Sequence, residues 1–402
     1  EAEKQQLYGW WLGTQDEPFQ QLTAVAAKLE KEESDGKARG TVAHIMQERK
    51  ESAAAFILFR GEYDQRRDKV LPNTPAAFPA MSDGLPKNRL GFAKWLLQDN
   101  HPLTTRVTVN RFSQQVFGTG LVRTAGDFGV AGEMPSHPEL LDWLAVDFRE
   151  SGWDVKRFFK QVVMSATYRQ AAIATPQKLE KDRDNRSFSR GPRFRIDAEM
   201  VRDYALSASG LLSTKIGGPS VKPYQPAGVW EAVAMIGSNT RDYRRDSGES
   251  LYRRSMYTFW KRSAPPASMD IFNAPSREFC TVQRERTNTP LQALVTLNDP
   301  QFVEAARVLA QHTLKNGGKT DADKANFIAM HLLSRPFREN ERPIVESSLA
   351  DLLAYYKANP ADAAKLLAVG ESKRDELLDP ATHAAWTMLT NQLMNLDEVL
   401  NK

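Results

Sequence analysis

The chain has 402 residues, 41% hydrophobic and 26% charged, an ordinary globular composition with enough length for one large core or two to three smaller ones. Its 54 Lys and Arg against 50 Asp and Glu leave a formal charge of +4, far below the basic excess of a dedicated nucleic-acid binder. No apolar run approaches the roughly 18 residues that a bilayer-spanning helix needs. The opening Glu1-Ala2-Glu3-Lys4-Gln5 has no basic end leading into an apolar stretch and there is no initiating Met, so the chain reads as a mature or truncated fragment.

A single cysteine, Cys280, excludes an intramolecular disulfide, and no Cys-x-x-Cys-His run is present to attach a c-type haem. On residue type alone Cys280 reads as a small buried hydrophobe rather than a nucleophile.

In chain order, Phe19 to Glu33 predicts an amphipathic helix that ends in the polar stretch Ser34 to Lys37. Ala55 to Arg60 is a short β-prone run. Val70 to Lys87 holds four prolines and predicts an irregular stretch over a surface, with a boundary near Asn88. Between Asn100 and Gly118 the β-branched Thr104, Thr105, Val107, Thr108 and Val109 mix with the helically spaced Phe112, Val116 and Phe117, and a helix closing at Gly118 is favoured. Ser136-His137-Pro138-Glu139 has the form of a capping box, followed by Leu140, Leu141, Leu144, Ala145 and Phe148 on one stripe and a stop at Gly152. Asp154 caps the next helix, which carries Val155, Phe158, Phe159, Val162, Val163 and Ala166. Asp197 caps another, with Met200, Val201, Tyr204, Ala205, Ala208, Leu211 and Leu212 inward until Gly217 and Gly218 break it.

Residues 220–298 are rich in Pro, Gly, Arg and aromatics and predict an irregular region with one strand candidate, Ser255 to Trp260. Helical patterning resumes at Asp299-Pro300, an N-cap with Pro in the first turn, and places Phe302, Val303, Ala306, Leu309 and Ala310 inward. Further helices are expected around Ala325 to Leu333, Ile344 to Tyr356 and Ala381 to Leu396. The fold class is therefore mainly α, a multi-helix domain with an irregular Arg- and aromatic-rich segment and a few short strands.

Several chemistries find no support. Gly118-Thr119-Gly120 lacks the third glycine and the following helix of a dinucleotide fingerprint. There is no nucleophile elbow and no two-histidine zinc motif. The six histidines are scattered without ligand-like spacing, so no metal site is expected. Gly126 to Glu133 offers two carboxylates without calcium-loop spacing and reads as a tight surface loop. His137, at a helix start beside Glu133, Glu139 and Asp142, is a hydrogen-bonded helix-start histidine or a titrating group.

The most unusual chemistry lies in the irregular region, where Arg253, Arg254, Lys261, Arg262, Arg277, Arg284 and Arg286 interleave with Tyr252, Tyr257, Phe259 and Trp260. Guanidinium forks hold carboxylate, sulfate or phosphate in pairs of hydrogen bonds, and aromatic faces suit sugar rings or cations. Such a mixture would bind an anionic glycan. The alternative is that these arginines pair with Asp246, Glu249, Asp270, Glu278 and Glu285 and pin down irregular backbone.

A string of motifs spans most of the chain: FILFRGEYD at Phe56–Asp64, NRLGFAKWL at Asn88–Leu96, TRVTVNR at Thr105–Arg111, FGTGLV at Phe117–Val122 and SHPELLDWL at Ser136–Leu144. It continues with SGW at Ser151–Trp153, SATYRQ at Ser165–Gln170, RRSMY at Arg253–Tyr257, RTNTPLQA at Arg286–Ala293, LNDP at Leu297–Pro300, Ala385-Trp386 and NLDE at Asn395–Glu398. This resembles the C-terminal domain of unknown function in planctomycete cytochrome-associated proteins. The resemblance implies that residues 55–402 are that domain, with the irregular insert at about 220–298, and that residues 1–54 are a partly helical connector from upstream modules absent here. It implies an extracytoplasmic setting, a c-type haem only in the missing upstream cytochrome module, and no cofactor in this chain. It carries no established catalytic residues.

The resulting expectation is an accessory or binding domain of an exported cytochrome-linked protein connected with anionic or sulfated polysaccharide. Its partners would be that polysaccharide and its own cytochrome module, with no nucleic acid and no membrane span. Alternatives are an enzyme acting on glycans, either a cytochrome-coupled oxidoreductase or a carboxylate-pair hydrolase, and a cell-surface assembly scaffold. Candidate binding or functional residues are Arg60, Glu62, Asn110, Arg111, His137, Arg253, Arg254, Trp260, Arg277, Glu278, Arg284, Arg286 and Asn288. No catalytic residue is assigned.

Overall fold

Local capping and periodicity account for most of what the chain builds. The computed structural model describes residues 1–40, 43–50 and 54–401, and the chain divides into two units, residues 1–75 with 86–88 and residues 76–85 with 89–402.

In the first unit α1 (Ala2–Thr14) and α2 (Glu17–Arg39) pack on each other, and the Asp16 carboxylate caps α2 by accepting from the Phe19 amide at 2.8 Å. The predicted stop at Ser34 to Lys37 is overturned, since α2 runs through it to Arg39. Lys37 reaches back one turn to Glu33 at 2.5 Å, and such i, i+4 pairs support an exposed helix through a tolerated Gly36. β1 (Ala55–Leu58) pairs antiparallel with β2 (Arg66–Val70), aligning Ala55 with Val70 and Leu58 with Arg66 across a bulge.

The second unit is mainly helical, with a long irregular segment between residues 209 and 290, and has two cores. The smaller one lies where α4 (Thr104–Phe117), α5 (Pro138–Glu150) and α6 (Val155–Met164) meet and bury Val109, Val116, Leu141, Phe148 and Phe158, while α3 (Arg89–Leu96) and the short α7 (Pro176–Lys181) contribute no residue to it. Burying each such side chain contributes on the order of 1.5–3 kcal/mol. The helix expected between Asn100 and Gly118 is present as α4 and closes on Gly118, whose φ of 80° lies in the left-handed region that glycine tolerates. Ser136 does not cap α5. His137 occupies the N-cap, Pro138 the first turn, and no side chain closes a capping box: the Ser136 amide donates to the Leu121 carbonyl at 2.9 Å, and its hydroxyl lies 3.0 Å from His137 Nδ1. Leu140 lies 42% exposed, outside the buried stripe, as do Val155, Val163 and Ala166 around α6. Asp154 caps α6 as predicted, accepting from Arg157 N at 2.9 Å.

The larger core is built by α8 (Ala198–Ser209), α10 (Ala267–Ile271), α11 (Pro290–Asn298), α12 (Pro300–Asn316), α13 (Asp321–Leu333), α14 (Arg342–Ala358), α15 (Pro360–Leu367), α16 (Pro380–Met394) and α17 (Asp397–Leu400), while the short α9 (Val229–Val233) contributes no residue to it. α12 is the axis of this bundle. Every residue from Gln301 to Ala310 is buried, so it is covered on all sides rather than along one stripe. The predicted strand over Ser255 to Trp260 is overturned: Ser255–Tyr257 is a 3-10 turn, followed by one isolated bridge between Val221 and Thr258. Asp203 explains why, since its carboxylate accepts from both the amide and the hydroxyl of Ser255, at 2.8 and 2.6 Å, and takes the place of a strand partner. The irregular region also ends earlier than 298, because Thr289 and Gln292 form a reciprocal capping box that starts α11.

Candidate functional site

The arginine-rich segment separates into two populations. The first holds backbone. Arg253 is 4% exposed and donates to the carbonyls of Pro219 at 3.1 Å and Lys215 at 3.2 Å, with its guanidinium 3.8 Å from the Tyr257 ring. Arg262 pairs with Glu278 at 3.1 Å, and Trp260 donates its indole N–H to the Ser276 carbonyl at 3.1 Å. Asn288 accepts from the buried Arg195. Arg254 is exposed at the rim of a separate cavity of about 920 Å³ beside Tyr204. Of the carboxylates expected to pair with this region, Glu278 alone does so with an arginine among the described residues.

The second population converges. Arg111, Gln114 and Gln115 stand at i, i+3 and i+4 on α4, and the segment 275–286 brings Arg277, Thr281, Arg284 and Arg286 to the same cavity of about 250 Å³, with Asp197 beside them. Arg284 is engaged, donating to Glu199 at 2.6 Å with Asp197 at 3.7 Å. Burial works against its charge, but the Glu199 hydrogen bond and the Asp197 charge outweigh that and raise its pKa. Arg286 is different. Burial pulls its pKa below the usual guanidinium range, Asp197 only partly opposing, and its Nε is buried without a hydrogen-bond partner. One arm donates to the Gly118 carbonyl at 2.9 Å and the plane lies 4.3 Å from the Phe194 ring. Arg277 carries a left-handed backbone, φ 64°, and sits over Trp260 at 4.6 Å. Arg111, Arg277 and Arg286 make no ion pair among the described residues. Gln114 is 5% exposed, lines the cavity, and has its side-chain carbonyl unpartnered.

Other predicted site residues go elsewhere. Asn110 is fully buried, and its amide clamps Val122, donating to the carbonyl at 3.0 Å and accepting from the amide at 2.8 Å. His137 lines a second cavity of about 320 Å³, with Nδ1 3.0 Å from Ser136 Oγ and the ring 5.6 Å from that of Phe188. Arg60 and Glu62 are exposed in the first unit, where Arg60 has φ 51° and lies over Phe59 at 5.2 Å. Cys280 is exposed, contrary to the buried reading: it sits in a segment held by its arginines and not by an apolar core. The Gly126–Glu133 loop is tight as predicted, with Thr124 Oγ1 donating to the Asp127 carbonyl at 3.0 Å and accepting from Glu133 N at 2.9 Å. No group of three or more His, Cys, Asp or Glu is placed to hold a metal ion, and no helix is long and apolar enough to cross a membrane, among the described residues.

Sequence reasoning missed Gln114, Gln115 and Thr281, although the i, i+3, i+4 polar face of α4 was there to be read. It also missed the buried ionic residues. Arg202, 3% exposed, donates to Gln301 Oε1 at 2.8 Å and to the carbonyls of Leu251 at 2.6 Å and Arg253 at 2.8 Å. Glu304 and Arg307, both almost wholly buried on α12, lie 3.8 Å apart; Glu304 accepts from Tyr252 Oη at 2.9 Å and from the amides of Glu371 and Ser372 at 2.7 and 2.6 Å.

Among curated proteins and among solved structures nothing matches this chain. One family model does, over residues 88–349, well over half of the chain and covering the whole arginine-lined cavity. The chain belongs to the PSD1 family, described as protein of unknown function (DUF1553).

Proposed function

We propose that this chain is a binding domain for the anionic groups of a polysaccharide, sulfate or carboxylate, held by Arg111, Arg277 and Arg286. The observation that carries the reading is the convergence of three guanidinium groups without carboxylate partners on one cavity, beside a buried amide carbonyl on Gln114 that has nothing to accept from. Of the three, Arg286 is partly buried and Arg111 and Arg277 are exposed at the mouth; a bound anion would offset the desolvation of Arg286 and be held by the other two. A sugar hydroxyl would supply the donor that Gln114 lacks, which favours a sugar acid or sulfated sugar over a bare inorganic anion.

The motif string that resembles planctomycete cytochrome-associated proteins supports the wider setting: an extracytoplasmic domain beside its own cytochrome module, serving polysaccharide use. Binding is preferred over glycoside cleavage because both carboxylates beside the cavity, Asp197 and Glu199, lie against Arg284. A hydrolase needs an unengaged pair flanking the scissile bond.

Calorimetric titration with heparin, chondroitin sulfate, alginate and neutral dextran tests this. Binding to at least one anionic polymer, weakening as salt is raised and lost in the double variant Arg111→Ala with Arg286→Ala, is expected. Equal binding of dextran, or full affinity in the double variant, would overturn it.

A further inference from the structure

The second cavity, which His137 lines, is a site of another kind. It lies where the end of α4, α5 and α6 meet the loop after α7, and no Arg, Lys, Asp or Glu lines it. At about 320 Å³ it is at the low end of the range for small-molecule pockets, roughly 300–1,000 Å³, so it suits one ring rather than an extended chain. Phe117, Phe188 and Trp143 supply aromatic surface, the last 53% exposed.

Two observations mark it as built for a ligand. First, hydrogen-bonding groups around the apolar wall are unclaimed: the Gln161 side-chain carbonyl is buried with no partner, and the hydroxyls of Thr167 and Ser187 have none among the described residues. Second, Phe188 is held in a left-handed backbone conformation, φ 51°, which costs a non-glycine residue energy. That conformation is enforced from outside the pocket. Asp182 accepts from the amides of Arg186 at 2.6 Å and Ser187 at 3.0 Å, and Gln170 donates to the Phe188 carbonyl at 2.9 Å.

We infer that this pocket binds a single uncharged pyranose ring, its C–H face against the aromatic wall and its hydroxyls on Gln161, Thr167 and Ser187. A cation would find no carboxylate in the lining, and an anion no arginine or lysine. A plain aromatic ring would leave the Gln161 carbonyl unsatisfied. The inference stands apart from the arginine-lined cavity, with which it shares α4 but no lining residue.

The test is saturation-transfer NMR and titration of the full chain with methyl glucoside, galactoside, mannoside and xyloside, with phenol as the aromatic comparison. Saturable binding of at least one glycoside, with Kd on the order of 1 mM, is expected. It should weaken about tenfold or more in Trp143→Ala and in Gln161→Leu, a loss equivalent to about 1.4 kcal/mol or more. Trp143 is half exposed, so its variant keeps the wild-type melting temperature and separates lost binding from lost fold. The binding should also hold between low and high salt, unlike that of an anionic polymer on the arginines. No saturable binding of any glycoside, equal binding in both variants, or binding of phenol alone would overturn the inference.

Discussion

The guanidinium of Arg286 lies over the Phe194 ring at 4.3 Å, and the same ring stands where a side chain on Gly118 would have to go, 2.6 Å from its Cβ position. Gly118 is thus fixed twice, by its φ of 80° and by Phe194, while its carbonyl accepts from Arg286 at 2.9 Å. The C-terminal stop of α4 and the deepest arginine of the cavity are one piece of packing.

Replacing Arg286 by Lys therefore tests geometry apart from charge. Lysine keeps the positive charge but has neither the planar fork nor the stacking face. Affinity for the anionic polymer that binds wild type should fall about tenfold, about 1.4 kcal/mol, with Arg286→Ala lower still. Calorimetry at two salt concentrations checks it, and a fully active Lys variant would show that charge alone is used.

Asn110 should behave as a structural residue. Asn110→Ala leaves the Val122 amide and carbonyl buried and unpaired, at about 1–3 kcal/mol each. We expect a clear loss in denaturant midpoint with unchanged polymer affinity in the folded fraction. Reduced affinity at unchanged stability would place Asn110 in the site.

Arg202→Met should be among the most damaging single changes. It removes the donors to Leu251, Arg253 and Gln301 while keeping the bulk, and breaking such a buried arrangement costs about 3–5 kcal/mol. Chemical denaturation measures it. A loss below about 1 kcal/mol would mean that the segment is held by its other contacts.

Asp299 gives a pH signature. Burial, only partly offset by the Gln301 amide and Arg202, raises its pKa from the ordinary 3.8 to about 6. The folded state thus holds a proton that the unfolded state has released, so this contribution is fully present below about pH 4 and is lost as pH rises through 6. Linkage bounds it at roughly 3 kcal/mol. Asp299→Asn keeps an N-cap and removes the titration. The melting temperature of the Asp299→Asn variant minus that of wild type should climb between pH 4 and 6 and level off above; a flat difference contradicts the assignment.

Cys280, exposed among the arginines, should react with a thiol reagent in the native protein at a rate close to that of the unfolded chain. Protection until denaturant is added would show that the segment closes over it.

What could be read in advance was what is local. Asp154 and Asp299 cap within three residues of themselves, and Gly118 stops its own helix, so the sequence around each suffices. Ser136 looked as local but lost its place to His137, because its amide is taken by the Leu121 carbonyl, a partner well back in the chain, and its hydroxyl by His137 Nδ1. The fates of the arginines were not readable. Arg253 and Arg286 are the same residue type in the same kind of sequence, yet one spends its donors on carbonyls 34 and 38 residues away and the other faces a cavity. Glu304 and Arg307, spaced i, i+3, resemble a surface pair, and only the helices packed around α12 make them interior.

Arg202 also sets an order of assembly. Its partners at Leu251 and Arg253 lie 49 and 51 residues further along the chain, so their contacts form only after a long loop has closed. The entropy of that closure comes before any of its hydrogen bonds. The helices on either side, α8 and α12, pack on each other and so bring the ends of that loop together before the segment between them settles. Residues 211–289, which contain most of the arginine-lined cavity, are then the last part of the unit to become native and, under mild destabilisation, the first to open.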